Sequence, residues 1–402
     1  MQLHAADRIS AVSRIREAKR EEAGLVLFIV IGLFMLPINA LLPLRMYLYM
    51  AILIAELLFL VVDSSIKKGS RIDGALTWLS AGFFCYLLFC WLLNGGNAVE
   101  RIVQTAIALT TLLVFSRYAW GAANLKWVKM AFVALLAGSA ALWLFSGRAT
   151  NYYASFYGHS NGFAVVLVCA CAFVLLSRKN SKTPILDAVV VALSVGLLFV
   201  ANSRSAAIML GVVVLFSLVF FATKSVSGVS KWVFILSLGS VLAFTLIYPT
   251  LYGTQLGAAI EMASRHYFNK NFFSGREVVW QMILGSLSGH ELFGIGLGMT
   301  PSAIYDTQFS SHNLYLQTIL QSGVVGLSFV VALLWLVFTR LSKRSCWQAC
   351  VGMALVIGIL FHECLEVSLT QNNFDVGILF WMLMGIALSL SRSAVRREEA
   401  DE

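Results

Sequence analysis

Three arginines and one histidine stand where this sequence could do chemistry. Arg204 lies in NSRS, Asn202 to Ser205, at a tight turn between two apolar runs; Arg265 and Arg276 follow in a stretch of 63 residues, Pro249 to Ser311. A guanidinium matches phosphate oxygens in a two-pronged fork that lysine cannot make, so arginines held at helix ends suit a phosphorylated ligand. An interfacial arginine can also merely reach for lipid phosphate. Arg276 opens SGREVVWQ, where a helix start and the guanidinium would both attract an anion. Pairing with Glu277 or Glu261 is the competing reading of Arg276. His312 begins HNLYLQTILQSGVVGL, directly ahead of an apolar run that ends at Thr339. A neutral imidazole there is a competent proton acceptor. The plainer reading is a capping or packing histidine, with Ser310 or Ser311 as the cap. Asn313 and Gln317 are its polar company, while Gly323 and Gly326 allow another helix to approach.

The elements that must hold these residues are membrane-spanning helices. Hydrophobic residues make up 59% of the 402 and charged ones 12%, with a mean hydropathy of +0.83, which excludes an ordinary soluble domain. At roughly 20 apolar residues per span, twelve spans are expected: 24–38, 41–62, 74–93, 99–115, 130–146, 161–177, 185–201, 205–222, 232–248, 312–339, 349–363 and 375–391. The expected fold is therefore an all-α polytopic membrane protein. A basic N-terminus, 1–23, precedes helices in 24–248; a large loop, 249–311, separates them from helices in 312–391 and a C-terminal tail, 392–402. All but seven of the 29 lysines and arginines fall on alternate loops, which places that side and both termini in the cytoplasm. The net charge of +9 is thus mainly a topology signal, and no nucleic-acid partner is implied. The basic stretch before Gly24 reads as an uncleaved anchor. The seven exceptions are Arg45, Arg101, Arg148, Arg204, Arg265, Lys270 and Arg276, and five of the six histidines share their side.

The long loop needs structure of its own. Within it, Leu256, Ile260, Ala263 and Tyr267 recur at helical spacing, and Ser274 with Glu277 reads as a capping box opening a second helix. Both helices are expected to lie on the membrane surface. FGIGLGM, Phe293 to Met299, reads as a tight turn returning the chain to the membrane. Arg148, Tyr152 and His159 mark an aromatic loop suited equally to sugar stacking or to interfacial anchoring. Glu56 is an acid inside a span, open to pairing within the bundle or to proton transfer. The seven cysteines imply neither disulfides nor zinc, and His362, Glu363 and Glu366 lack the spacing of a metal site.

With these motifs the chain resembles the O-antigen ligase family, within the wider group that holds O-antigen polymerases and protein O-oligosaccharyltransferases. The family's signature is a His followed by Asn, Ser or Gln, nine residues, then Gly-x-x and Gly, Thr or Tyr; His312, Asn313, Gly323 and Gly326 meet it. NSRS and SGREVVW are similar to its arginine motifs. The resemblance implies a glycosyltransferase C-like fold and transfer of a glycan from undecaprenyl pyrophosphate to a sugar of the lipid A core, at the periplasmic face of the bacterial inner membrane. It implies Arg204 as the first pyrophosphate-binding arginine, Arg265 or Arg276 as the second, with spacing favouring Arg265, and His312 as the base. Arg148, Tyr152, His159, Asn313 and Gln317 become candidate glycan or acceptor contacts, and membrane lipids the surroundings. No metal or other cofactor is expected, because the lipid-linked donor is already activated and the outer loops hold no Asp-x-Asp pair. The polymerase pattern Arg-x10-Gly is unmet at Arg148, Arg204, Arg265 and Arg276, which favours the ligase over a polymerase or protein oligosaccharyltransferase using the same donor. A transporter would instead place broken helices and polar pairs at the bilayer midplane.

Overall fold

The computed structural model describes residues 21–66, 73–147, 151–180, 182–223, 227–269, 271–305, 310–371 and 373–401. Among these the fold is all-α, with no strand. Helix α1 covers 21–35. A 3-10 turn, Asn39–Leu44, then leads into α2 (Arg45–Ile66), α3 (Gly74–Leu93), α4 (Val99–Arg117), α5 (Ala122–Phe145), α6 (Ser160–Ser177) and α7 (Pro184–Ala201). They are followed by α8 (Arg204–Ala222), α9 (Ser227–Leu251), α10 (Gln255–Phe268), α11 (Arg276–Ser286) and α12 (Pro301–Tyr305). The chain closes with α13 (Leu314–Ser342), α14 (Trp347–Glu363) and α15 (Phe374–Asp401). The basic N-terminal stretch, Arg148 and Lys270 lie outside the described residues.

Ten of these helices are long and apolar enough to cross a bilayer, which makes the chain a multi-pass membrane protein. The count falls short of the expected twelve for a physical reason. Helix α14 has 17 residues and rises only about 25 Å, less than the roughly 30 Å of a hydrocarbon core. It is enclosed by α6, α8, α13 and α15, so its apolar surface meets protein on every side. Helix α1 is similarly short among the described residues. Its packing is carried by Val26, Ile29, Val30 and Leu33, all buried. Helix α6 and the part of α15 up to residue 391 are apolar almost all round and almost wholly buried, as expected for innermost helices. Helix α5 begins eight residues ahead of the expected 130, because Leu125, Val128 and Lys129 are buried against α7, where the Lys129 ammonium pairs with Asp187. Glu56 also pairs within the bundle, accepting from the hydroxyls of Thr110 and Thr111 on α4.

The long loop divides into two unlike parts. Helix α10 leaves Leu256, Met262 and Tyr267 exposed, the pattern of a helix lying on a membrane surface. Helix α11 does not lie there. Its Val279, Trp280 and Ile283 are buried against α9 and α13, and the Trp280 indole donates to the Ser311 carbonyl at 2.7 Å. A helix as apolar as α11 suits either surface, and only the neighbouring side chains choose.

Helix α13 is broken at Gly323, whose φ of +65° is left-handed. The segment around Phe293 fits into the break: Val324 N–H donates to Glu291 O at 2.8 Å, and Ile295 N–H to Leu320 O at 2.7 Å. Gly323 therefore opens the helix to a loop rather than only admitting a neighbouring helix. A Cβ there would stand 2.0 Å from the Leu292 carbonyl oxygen, against backbone that cannot turn aside. Gly323→Ala is expected to cost about 2–4 kcal/mol of stability, from strain and overlap together. Gly326→Ala would meet the Ser322 hydroxyl, which can rotate, but also the Ser322 Cβ at 2.5 Å, which cannot, and should cost about 1–3 kcal/mol, less than Gly323→Ala because Gly326 carries no left-handed backbone strain. Thermal unfolding of the two variants in detergent checks the order; equal losses would rule out the inserted loop.

Candidate active site

Two helix starts meet at one cavity. Asn202, with φ +51°, ends α7 and lets Arg204 begin α8 only two residues later. Gly275, with φ +89°, is the N-cap of α11, and Arg276 is its first residue. Both arginines line a cavity of about 370 Å3, together with Tyr152, Asn161, Trp280 and Glu366. The first amides of a helix have no partner within it, and the start of α8 has no side-chain cap, so it adds donors where the Arg204 guanidinium stands. Arg204 is exposed to the cavity and has no ion-pair partner among the described residues.

The capping box forms by halves. Gly275, not Ser274, occupies the cap, while the Glu277 carboxylate reaches back to the amides of Ser274 at 3.2 Å and Gly275 at 3.1 Å. Its other partner is the Tyr248 hydroxyl at 3.0 Å. Glu277 is thereby committed to the helix start and does not pair with Arg276. Glu261 is committed as well: one oxygen accepts from Arg265 Nε at 2.7 Å, the other from the amides of Phe272 at 2.8 Å and Phe273 at 3.0 Å. The Phe273 amide, with help from Arg265, holds the Glu261 carboxyl below the usual range. Arg265 is 63% exposed on its side chain and does not line the cavity. Of the two arginines in the long loop, the one placed with Arg204 is Arg276.

Arg276 and His312 share a carboxylate that the spacing of residues did not single out. Glu366, 2% exposed, lies 3.6 Å from an Arg276 nitrogen through Oε1 and 3.1 Å from His312 Nδ1 through Oε2. The Asn161 amide donates to Oε1 at 2.8 Å. Burial pushes the Glu366 carboxyl up, but His312, His362 and Arg276 outweigh it and hold the group below the ordinary carboxylate range. Glu366 reaches this place because the segment after α14 is folded tightly. Glu363, paired with His362 at 3.3 Å, accepts from the amides of Ser368 at 2.9 Å and Leu369 at 3.1 Å. His362, Glu363 and Glu366 thus separate into a buried loop clamp and a site residue. No group of metal-ligating side chains occurs among the described residues.

His312 itself has φ +43°, a left-handed backbone uncommon for a non-glycine residue. Its neighbour in the chain sustains that strain: Asn313, fully buried, is the N-cap of α13 and accepts from Leu316 N–H at 2.9 Å. The Asn313 amide also donates to Thr245 Oγ1 and the Cys364 carbonyl, both at 3.0 Å. The cap is therefore Asn313 rather than Ser310 or Ser311, and it joins α13 to α9 and the Glu366 segment. With Nδ1 facing Glu366, a neutral His312 keeps its lone pair on Nε2.

The other candidates divide. Tyr152 lines the cavity, whereas His159 lies on a separate one. Asn313 acts through its cap, and Gln317 is buried with its amide on the Met299 carbonyl at 2.9 Å, away from the cavity. Asn161 and Glu366 were missed because each gains its role across more than 50 residues of chain; only an acid next to a histidine-bearing helix end hinted at Glu366.

Residues 188–331, from α7 into α13, match the family model described as O-antigen ligase. No curated protein matches the chain. The matched stretch contains Arg204, Arg276 and His312, three of the groups gathered at the cavity and its Glu366 bridge, so the part of the chain that is similar to the O-antigen ligase family is the part that builds this site.

Proposed function

We propose that this chain is an O-antigen ligase, transferring a glycan from undecaprenyl pyrophosphate to a sugar of the lipid A core at the periplasmic face of the inner membrane. The observation that carries this reading is the shared cavity of Arg204 and Arg276, with Glu366 linking it to His312. The leaving group is a pyrophosphate, and its charge grows as the bond to the anomeric carbon breaks. Two guanidiniums, with the uncapped start of α8 beside them, would stabilise that charge most where it is greatest, in the transition state. The positive charge then comes from arginine rather than from a metal.

A groove of about 480 Å3 between α7 and α8 supports a lipid-linked donor. It is lined by Leu198, Phe199, Ala207, Leu210 and Val214, and Arg204 stands at its head. A prenyl chain in this groove would bring its pyrophosphate to the arginine. His312 Nε2 takes the proton from the acceptor hydroxyl as its oxygen attacks the anomeric carbon. The carbon–oxygen bond to pyrophosphate breaks with its electron pair remaining on the phosphate, so the configuration inverts. Glu366 holds the imidazole by Nδ1 and stabilises the imidazolium that results.

Transfer by the purified full-length protein, with undecaprenyl-pyrophosphate glycan and rough lipopolysaccharide and without added metal or ATP, tests the reading. Glycan joined to the lipid A core is the expected product. Lengthening of the donor glycan, or its attachment to a protein, would replace the acceptor; no new glycosidic bond at all would sink the proposal.

A further inference from the structure

A second cavity, about 210 Å3 in volume, opens between the 3-10 turn, the start of α2, the loop ahead of α6 and the start of α15. It shares no residue with the Arg204 cavity and none with the stretch 188–331. The first turn of α6 separates the two cavities. Asn161 faces Glu366 on one side, while His159 and Gly162 face the second cavity on the other. The separation is therefore about the width of one helix, roughly 10 Å.

Its polar groups are organised in advance, with one cation tied between two carboxylates. Arg45 is held between Glu100, at 3.1 Å, and Asp375, at 3.4 Å, and the Tyr49 hydroxyl donates to Asp375. Gln104 joins Tyr49 and Glu100 behind them. In front of this fixed pair stand the side chains of Asn39, His159 and Asn373, which make no hydrogen bond among the described residues. A phosphate would face the Asp375 carboxylate, and a metal ion would face Arg45. Amides, an imidazole and an arginine held between two carboxylates instead offer donors and acceptors side by side, as a ligand of hydroxyl groups requires. Pro37, Leu42 and Val376 add apolar surface for the C–H face of such a ligand. The volume is below the roughly 300–1,000 Å3 of cavities that enclose drug-sized molecules, which suits a single sugar ring.

We propose that this second cavity is a saccharide subsite. The inference rests on the proposed transfer reaction, where two sugars must meet near His312. The acceptor is the expected occupant, because the cavity lies across Glu366 and α6 from the arginines.

The test uses the full chain in lipid nanodiscs and saturation-transfer difference NMR with two probes, lipid-free core oligosaccharide and released O-antigen glycan. Asn39→Ala combined with Asn373→Ala should weaken binding of one saccharide by on the order of tenfold, the size expected for one or two lost hydrogen bonds. Asn39→Trp, which fills the cavity, should remove that signal. Loss with the core oligosaccharide assigns the subsite to the acceptor; loss with the O-antigen glycan assigns it to the donor. Unchanged binding of both, in variants that unfold at the wild-type temperature, overturns the subsite, as does wild-type protein that binds neither probe. Wild-type protein that binds a saccharide but transfers none overturns the reaction and leaves the subsite standing.

Discussion

His312→Ala is expected to lower the transfer rate about a hundredfold to ten-thousandfold, the range for removing a positioned general base. Binding of the lipid-linked donor should change little, because the arginines that meet the pyrophosphate are separate side chains. Single-turnover transfer together with a direct donor-binding measurement separates the two. A variant that lost donor affinity but kept its rate at saturation would make His312 a binding group instead. Glu366→Gln should have a smaller effect on rate, since an amide oxygen can still accept from Nδ1, and it carries a pH signature of its own. The Glu366 carboxyl is held below its ordinary range in the folded protein. Its stabilising contribution is therefore complete above the unfolded-state value, about 4.3 for glutamate, and is lost as pH falls toward the lower folded value. Thermal unfolding between about pH 3 and 7 should show this acid-side decline in the wild type and a flatter profile in Glu366→Gln. Identical slopes would mean that the carboxylate is not stabilised by His312 and Arg276.

Arg204→Ala and Arg276→Ala are each expected to reduce the rate about a hundredfold to a thousandfold, the scale of deleting one group that stabilises developing negative charge. The two should differ in stability. Arg204 has no ion-pair partner among the described residues, so its removal leaves nothing unpaired. Removing Arg276 takes a cation from buried Glu366 and should lower the unfolding temperature. Lysine at 204 should restore only part of the rate, because a point charge cannot reproduce the fork. Arg265→Ala is the comparison: its guanidinium is exposed and paired with Glu261, so transfer should stay within about twofold. Rates measured at saturating donor decide the matter. Loss on Arg265→Ala with full activity in Arg276→Ala would reverse the assignment and dismiss this cavity as the pyrophosphate site.

The sequence by itself determined the class of the protein. Runs of apolar residues bounded by lysine and arginine leave few alternatives to a helical bundle in a membrane, since a backbone in lipid must satisfy its own hydrogen bonds. The same local logic placed Arg204 at a turn, Arg276 at a helix start and His312 just ahead of α13. What it could not decide was which polar groups meet. Spacing favoured Arg265 over Arg276, yet Arg265 pairs outward with Glu261 while Arg276 turns to the cavity. Ser310 and Ser311 stood just ahead of the span expected from 312, yet Asn313 caps α13, and its amide also reaches α9 and the Cys364 carbonyl. Helices α10 and α11 both read as surface helices, yet Trp280 draws α11 into the fold. Above all, Glu366 became the link between Arg276 and His312 only through the fold of the segment after α14. Local propensity is set by neighbours in sequence, whereas the pairing of buried charges is set by neighbours in space, and only the packed bundle brings those together.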